Sequence, residues 1–289
     1  MFKCFLNLIE KLIRKIYTPT NSPFLRRFKS FYWKMKIIAE PAIVKPNEKA
    51  IAFFAQNAEK VNILANMLAD EQSKKEYLGI IKFRQTCSRK DYPRLKYEHE
   101  YFFNHLLLGK DEVFIDCGAY IGDTIDEFLK RCQEYKRIIA FEPDPENFKK
   151  LKKKHGANSK ITLMNAGVYD KEEYILFKKQ GGFSKIINEQ NSEQNNFISV
   201  PIKTIDSMNL ENVSFIKMDI EGSELNALKG AEKTIAKNKP KLAICLYHSD
   251  EDMVRIVEYI HDLIPEYKLY VRHYSSYPSV CETVLYAIK

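Results

Sequence analysis

The chain of 289 residues is 45 % hydrophobic and 12 % aromatic, enough apolar material for a full core, which excludes an intrinsically disordered protein. Residues 1–38 hold nine Lys/Arg against one acid, a net +8 that equals the charge of the whole chain, so residues 39–289 are neutral overall. The basic balance therefore describes one terminus and does not mark the main domain as a nucleic-acid binder.

At that terminus Phe2, Phe5, Leu6, Ile9, Leu12, Ile13 and Ile16 recur at helical spacing opposite the basic residues, which predicts an amphipathic helix over 2–16. Such a helix packs on its own protein or on a second copy, or lies on an anionic membrane surface. Charges every few residues leave no uninterrupted apolar stretch suited to a signal peptide or a bilayer span. The expectation is a cytoplasmic protein, with peripheral contact at the inner face of the membrane as the one lipid role open to residues 2–16. The six cysteines, Cys4, Cys87, Cys117, Cys132, Cys245 and Cys281, show no CxxC or zinc spacing and read as small buried hydrophobes of a reducing compartment.

Over 48–84, Ile51, Phe54, Ala55, Ala58, Val61, Leu64, Ala65 and Leu68 predict helix, followed by a Pro-interrupted connection at 91–95. From residue 112 strand and helix patterns alternate: strand 113–117, helix 123–132, strand 137–142, a helix with Asp144 as N-cap, Pro145 at its first position and Gly156 past its end, then strand 161–166. A hairpin of 174–178 with 183–187 around Gly181-Gly182 is expected next, and the polar run 188–196 reads as loop. Strand 213–218, helix 223–236, strand 241–247 and a helix from Ser249 to Pro265 continue the alternation. The last two runs, 267–273 and 282–288, are joined by eight residues, too few for a parallel crossover, and so pair antiparallel. The pattern divides the chain into a basic amphipathic segment (1–45), a helical lead-in (46–111) and an α/β domain (112–289) with a mostly parallel sheet. Ligands of such sheets sit beyond the carboxyl ends of the strands.

Four of those ends carry chemistry. In the first turn, EVFIDCGAYIGDT at 112–124, Gly118 and Gly122 let the backbone bend and approach a ligand, with Asp116 at the strand end and Asp123 and Thr124 at the helix start. Glu142, in FEPDP at 141–145, follows Gly122 by 20 residues, where an acid can accept hydrogen bonds from both hydroxyls of a ribose. Together the two turns point to an adenosine-bearing ligand, and Asn165-Ala166 closes the next strand where an adenine edge would be read. The strand ending at 218 is followed by Asp219, Glu221 and Glu224; Asp219 and Glu221 face the crevice by position, while Glu224 falls in the first turn of a helix.

These motifs, with SFIKMDIEGSE at 214–224 and YVRHYSS and ETVLYAI near the C-terminus, resemble the FkbM-type S-adenosylmethionine-dependent methyltransferases over 112–289. The segments 68–84 and 100–102 are similar to the helical lead-in of some members. The resemblance implies the seven-stranded class I methyltransferase (Rossmann-like) fold with a C-terminal antiparallel hairpin. It implies that S-adenosyl-L-methionine is held by Asp116, Gly118, Ala119, Gly122, Asp123 and Thr124, by Glu142 at the ribose, by Asn165 and Ala166 near adenine, and by Asp219 near the methionine. Members methylate hydroxyl oxygens on sugars, glycolipids or polyketides, so a sugar or glycan acceptor and a place in glycan or cell-surface polysaccharide synthesis are expected. Tyr120 departs from the polar Asn frequent in such first turns.

A sugar hydroxyl is a weak nucleophile and needs a base; Asp219, Glu221 and His248 are the candidates. Asp219 and Glu221 also form a candidate pair for a divalent cation, but the sequence shows no third ligand beside them and no metal is assigned. Two rivals share the first turn. An NAD(P)-dependent oxidoreductase would use the same glycine turn and acid, but the turn is Gly-x-x-x-Gly rather than the Gly-x-Gly-x-x-Gly that fits a pyrophosphate. Its Tyr-x-x-x-Lys at 174–178 falls in a segment that alternates like a strand. A non-catalytic binder of the adenosyl cofactor is the other rival, against which the acids at the strand ends argue.

Overall fold

The computed structural model describes residues 46–88, 90–93, 100–178, 197–275 and 278–289. The segment 2–16, the expected strand 183–187 and the polar run 188–196 lie outside the described residues. Three helices, α1 (Glu48–Gln56), α2 (Ala58–Met67) and α3 (Glu71–Thr86), precede β1 (Val113–Cys117), α4 (Asp123–Arg131), β2 (Arg137–Phe141), α5 (Pro145–His155) and β3 (Ile161–Met164). Then come β4 (Gly167–Val168), β5 (Glu173–Lys178), β6 (Phe197–Lys203), β7 (Phe215–Met218), α6 (Glu224–Lys229), α7 (Glu232–Asn238), β8 (Lys241–Cys245), α8 (Asp252–Leu263), β9 (Lys268–His273) and β10 (Thr283–Ile288).

Seven strands form the main sheet in the order β3-β2-β1-β7-β8-β10-β9. The first five of these are parallel, and β10 runs antiparallel to both β8 and β9, as the short final connection requires. Every residue of β1 is buried, because helices cover both faces. The alternation of a strand assigns Phe114 to one face, where it stacks on Phe128 and Phe215 at 4.8 and 4.6 Å. Val113, Ile115 and Cys117 take the opposite face with Ile139 and Ile216.

Local chemistry sets the helix boundaries. Asp144 accepts from the N–H groups of Glu146 and Asn147 at 2.9 and 3.0 Å and so starts α5, with Pro145 in the first turn and Gly156 at its end. In α4 Asp123 and Asp126 open the helix and Lys130 and Arg131 close it, complementing its dipole.

Four expectations change. The helical run 48–84 is three helices: the Asn57 side chain donates to the Phe53 carbonyl at 2.8 Å, and Asp70 accepts from Ser73 N–H at 2.6 Å to begin α3. The chain bends there, so Phe54, Val61, Leu64, Ala65 and Leu68 are buried while Ile51, Ala55 and Ala58 are exposed. The run 223–236 is divided at Gly230, whose Cα approaches the Tyr169 carbonyl so closely that an added Cβ would lie 2.0 Å from that oxygen. The strand expected over 161–166 ends at Met164, and Gly167-Val168 opens a second sheet of order β4-β6-β5. The partner of β5 among the described residues is β6, which the sequence reading did not name and which carries Pro201, a residue that argues against a central strand. The two-residue β4 pairs only with Ile202 and Lys203, so Pro201 lies beside β5 alone.

The lead-in shares the sheet's core. Leu68 bridges to Leu269, Ser73 Oγ accepts from Val271 N–H at 3.0 Å, and Glu76 accepts from His273 N–H at 2.7 Å. Side chains of α3 thereby satisfy the outer backbone groups of β9, which would otherwise be an open sheet edge. Among the described residues no helix is long and apolar enough to cross a membrane.

Candidate functional site

The carboxyl ends of β1, β2, β7 and β8 border a cavity of about 400 Å³. Its floor is the first turn, where Gly118 and Ala119 N–H donate to the Phe141 carbonyl at 3.0 and 2.9 Å. Gly118 has φ +80°, and a Cβ there would sit 1.9 Å from the Asp219 carbonyl oxygen, so the turn closes only on a glycine. Gly122 serves a different contact: with φ +87°, its missing Cβ leaves room for His155 and Leu151 of α5. Ala119 is buried in the core beneath the turn, whereas Asp123 and Thr124 line the cavity.

Glu142 projects into the cavity at the end of β2 and accepts from Tyr120 N–H at 2.8 Å and Asp144 N–H at 2.9 Å. Burial pushes its carboxyl up to about 7, with the two N–H groups opposing. Beyond it Pro143, Ala166, Val168, Ile175 and Ile202 make an apolar slot, to which the sequence reading contributed only Ala166. Asn165, expected near an adenine edge, is engaged with backbone. Its amide donates to the Glu142 and Pro143 carbonyls at 2.8 and 3.1 Å and fixes the loop that carries the acid.

At the other end Asp116 lies under the turn, fully buried, with Lys217 Nζ 3.1 Å from its Oδ1. The same Nζ donates to the Gly118 carbonyl at 2.8 Å. Burial disfavours the Lys217 charge, but Asp116 and Asp219 outweigh it and hold the amine charged. Asp116 thus supports the cradle through Lys217, which lines the cavity and which the sequence reading did not single out.

Asp219 accepts from Tyr101 OH at 2.7 Å and Tyr247 OH at 2.9 Å. Burial raises its carboxyl, yet Lys217, His248 and the two hydroxyls together bring it below the usual range, so it is ionised. His248 Nε2 stands 3.4 Å from Asp219 Oδ1 and 3.6 Å from Glu221 Oε2, while its Nδ1 is 3.0 Å from Glu224 Oε1. Burial works against the imidazolium, but these three carboxylates raise its proton affinity. His248, named as a candidate base, thus stands among three carboxylates. Glu224 is fully buried and folds back to accept from Ile220 and Gly222 N–H at 2.7 and 3.0 Å, a role its place in a first helical turn did not reveal.

Glu100 and Glu282 also line this end. Burial pushes Glu100 up to about 8, and the charges of Asp219 and Glu282 add to the effect. Arg272, His273 and Tyr274, by contrast, serve packing. Arg272 binds Asp70, His273 bridges Thr283 and Tyr92, and Tyr274 OH meets Tyr286 OH at 2.6 Å.

The geometry fits an S-adenosyl group on three counts: a glycine cradle a Cβ would fill, a buried acid at ribose position, and an apolar slot beyond it. It does not fit the short-chain dehydrogenase pair, since 174–178 belongs to strand β5 and its Tyr and Lys do not share a helical turn.

Comparison with known proteins agrees. The chain is similar to 2-O-methyltransferase NoeI of Sinorhizobium fredii, with 24 % identity over 187 residues, 57 % of this chain and 75 % of NoeI. It is also similar to the crystal structure of methyltransferase FkbM from Methylobacillus flagellatus, with 29 % identity and a TM-score of 0.69 over 82 % of this chain. The match spans 60 % of the length of that solved relative. The model of the methyltransferase FkbM domain matches residues 116–270, more than half of the sequence. From the glycine turn to the final antiparallel strands, fold and motif coincide, and the chain belongs to the FkbM methyltransferase family, whose cofactor is S-adenosyl-L-methionine.

Proposed function

We propose that the protein is an O-methyltransferase acting on a sugar hydroxyl, in glycan or cell-surface polysaccharide synthesis. The observation that carries this reading is the change of character along one cavity. The adenosyl cradle of Gly118, Glu142 and the apolar slot opens into a chamber walled by Glu100, Asp219, Glu221, Tyr247 and Glu282, acceptors and donors suited to a polyhydroxylated substrate. The name of the relative NoeI, a 2-O-methyltransferase, supports the choice of oxygen.

The cofactor supplies an activated methyl group when bound. The chain's own contribution is first to hold an acceptor oxygen in line with it, positioning of a kind worth ~7–11 kcal/mol. A base that receives the hydroxyl proton adds about 10²–10⁴ in rate. Glu100 suits that role better than Asp219, because its ionised form has the greater proton affinity, raised to about 8 by burial, whereas Lys217, His248 and two hydroxyls stabilise the Asp219 carboxylate and weaken it as a base. Tyr101 and Tyr247, which anchor Asp219, line the cavity beside it.

The test is isothermal titration with S-adenosylhomocysteine, NAD⁺ and NADH, followed by transfer of labelled methyl from S-adenosylmethionine to a panel of sugars and their deoxy analogues. Methyl incorporation that disappears with one particular deoxy sugar supports the reading. Binding of the homocysteine compound with label transferred only to amines or carbon acids removes the hydroxyl assignment.

A further inference from the structure

We propose that Glu100 and Glu282, with Asp219, select the methyl donor by charge. They favour the sulfonium of S-adenosylmethionine over the neutral thioether of S-adenosylhomocysteine, and Glu100 gives up its proton when the donor binds. The selection rests on the cofactor of the family alone; the use made of the freed Glu100 carboxylate rests on the hydroxyl-methylation reading.

The chamber end of the cavity is lined by the carboxyls of Glu100, Asp219, Glu221 and Glu282, and Lys217 is the one basic side chain among the described residues of the lining. The cations nearby have their own partners. Lys217 lies 3.1 Å from Asp116, and His248 stands among Asp219, Glu221 and Glu224. Among the described residues no cation lies within ion-pair distance of Glu100 or Glu282. The two come from different parts of the chain, one from the loop before β1 and the other from the residue before β10, so their juxtaposition is a product of the fold.

Tyr101 ties the loop that carries Glu100 to the sheet. Its N–H donates to Tyr286 OH at 3.1 Å, its OH donates to Asp219 at 2.7 Å, and Lys217 Nζ lies 5.0 Å from its ring centre. Glu100 Oε1 is buried there and accepts no hydrogen bond. Burial pushes the Glu100 carboxyl up to about 8, Asp219 and Glu282 add to this, and Lys217 and Tyr101 oppose it. Glu282 is raised by burial and then by Asp219. Tyr101, Cys245, Tyr247, Tyr274 and Tyr286 also face Glu100, and burial keeps each of them neutral.

The cofactor's sulfur is attached to its ribose, and beyond the ribose acid Glu142 the cavity is apolar in one direction and leads to the chamber in the other. A positive charge brought to the chamber favours the carboxylate forms of Glu100 and Glu282, whereas a thioether brings none. The coupling is mutual, so ionised carboxyls hold the cation more tightly. The O–H bond of Glu100 breaks, its proton passes to solvent, and a carboxylate stands ready for the acceptor's proton only while the donor is bound. Methyl transfer then leaves a neutral thioether beside a Glu100 that has taken up that proton. Both charges vanish together, and the chamber loses its hold on the product.

The experiment is calorimetry of the purified full chain with S-adenosylmethionine, S-adenosylhomocysteine and sinefungin, an analogue with an amine-bearing carbon in place of the methylated sulfur, in buffers of low and high ionisation heat. Wild type, Glu100→Gln and Glu282→Gln are compared, with thermal melting on the same samples. Near neutrality both cations should bind about 5–10-fold more tightly than the homocysteine compound and release more protons than it does. Glu142 titrates with all three ligands and cancels in that difference. The preference should grow as pH rises toward about 8. Glu100→Gln should remove the excess of protons and the rise with pH, and Glu282→Gln should cut the preference to about 2-fold. Homocysteine compound bound as tightly as the two cations overturns the proposal, as does an excess of protons that Glu100→Gln leaves unchanged. Tight S-adenosylmethionine with weak sinefungin overturns it too, because the methyl group and not the charge is then recognised. Should Glu100→Gln fail to fold, a preference that Glu282→Gln leaves whole overturns it. Failure of all three ligands to bind removes the cofactor site and the proposal with it, whereas label transfer to sugars by a protein without charge preference sinks the proposal and leaves the hydroxyl-methylation reading standing.

Discussion

Lys217 and Asp116 are register neighbours on β7 and β1, and their side chains meet at 3.1 Å with 2 and 0 % exposure. The lysine also holds the Gly118 carbonyl, so one buried cation joins two strands and the cofactor turn. Lys217→Met leaves Asp116 buried and unpaired, and a loss of about 3–5 kcal/mol in urea unfolding is expected. Lys217→Met with Asp116→Leu should regain most of that stability. It should not regain affinity for S-adenosylhomocysteine, because the Gly118 carbonyl and Asp219 still lack their cation. A double variant as unstable as the single would contradict this account.

The glycines differ in what they permit. Gly118→Ala drives a Cβ to 1.9 Å from a backbone oxygen of β7's exit, which no rotamer can relieve, and soluble folded protein is not expected. Gly222→Ala places its Cβ at an ordinary 3.5 Å from His248 Cβ, and its burden is the φ of +95° alone. That variant should fold, with a loss of about 1–2 kcal/mol in thermal or urea melts.

Glu142 couples binding to pH. Its folded value of about 7 lies above the ordinary 4.5, so its contribution to stability is fully present below 4.5 and is lost as pH rises through about 7. Its ionised form is the better acceptor for ribose hydroxyls. S-adenosylhomocysteine affinity should therefore rise between pH 6 and 8, as that form accumulates. Glu142→Gln should flatten the profile, weaken binding by about 1.5–3 kcal/mol at pH 8, and make the ligand-free protein more stable there. Calorimetry across pH, paired with melts, reads both; a profile as steep in the variant as in wild type counts against the assignment.

Asp70 caps α3 and pairs with Arg272 at 2.7 Å, tying the lead-in to β9. Burial raises its carboxyl, but Arg272 and the Ser73 hydroxyl and N–H lower it to about 2. That stability is present above the ordinary 3.8 and is lost as pH falls through about 2. Asp70→Ala should cost about 0.5–2 kcal/mol at pH 7. The difference from wild type should shrink between pH 4 and 2 in acid-unfolding curves.

The sequence by itself determined the alternation of strands and helices from residue 112, the antiparallel end, the glycine turn and the acid at the end of β2. These are local: apolar runs, caps and φ-specific residues lie within a few positions of one another. It also placed Asp219 and Glu221 at a ligand-facing strand end, because parallel strands put their exits on one side. It did not show Lys217, Tyr101, Glu100 or Tyr247 at the cavity, nor Asn165 turned onto backbone, nor Glu224 behind His248. It did not show why the helical lead-in divides, or that β6 tolerates a proline. Each of these depends on which strands become neighbours and at what register. Side chains far apart in the chain meet there, and burial at the contact decides which of them keep their charge.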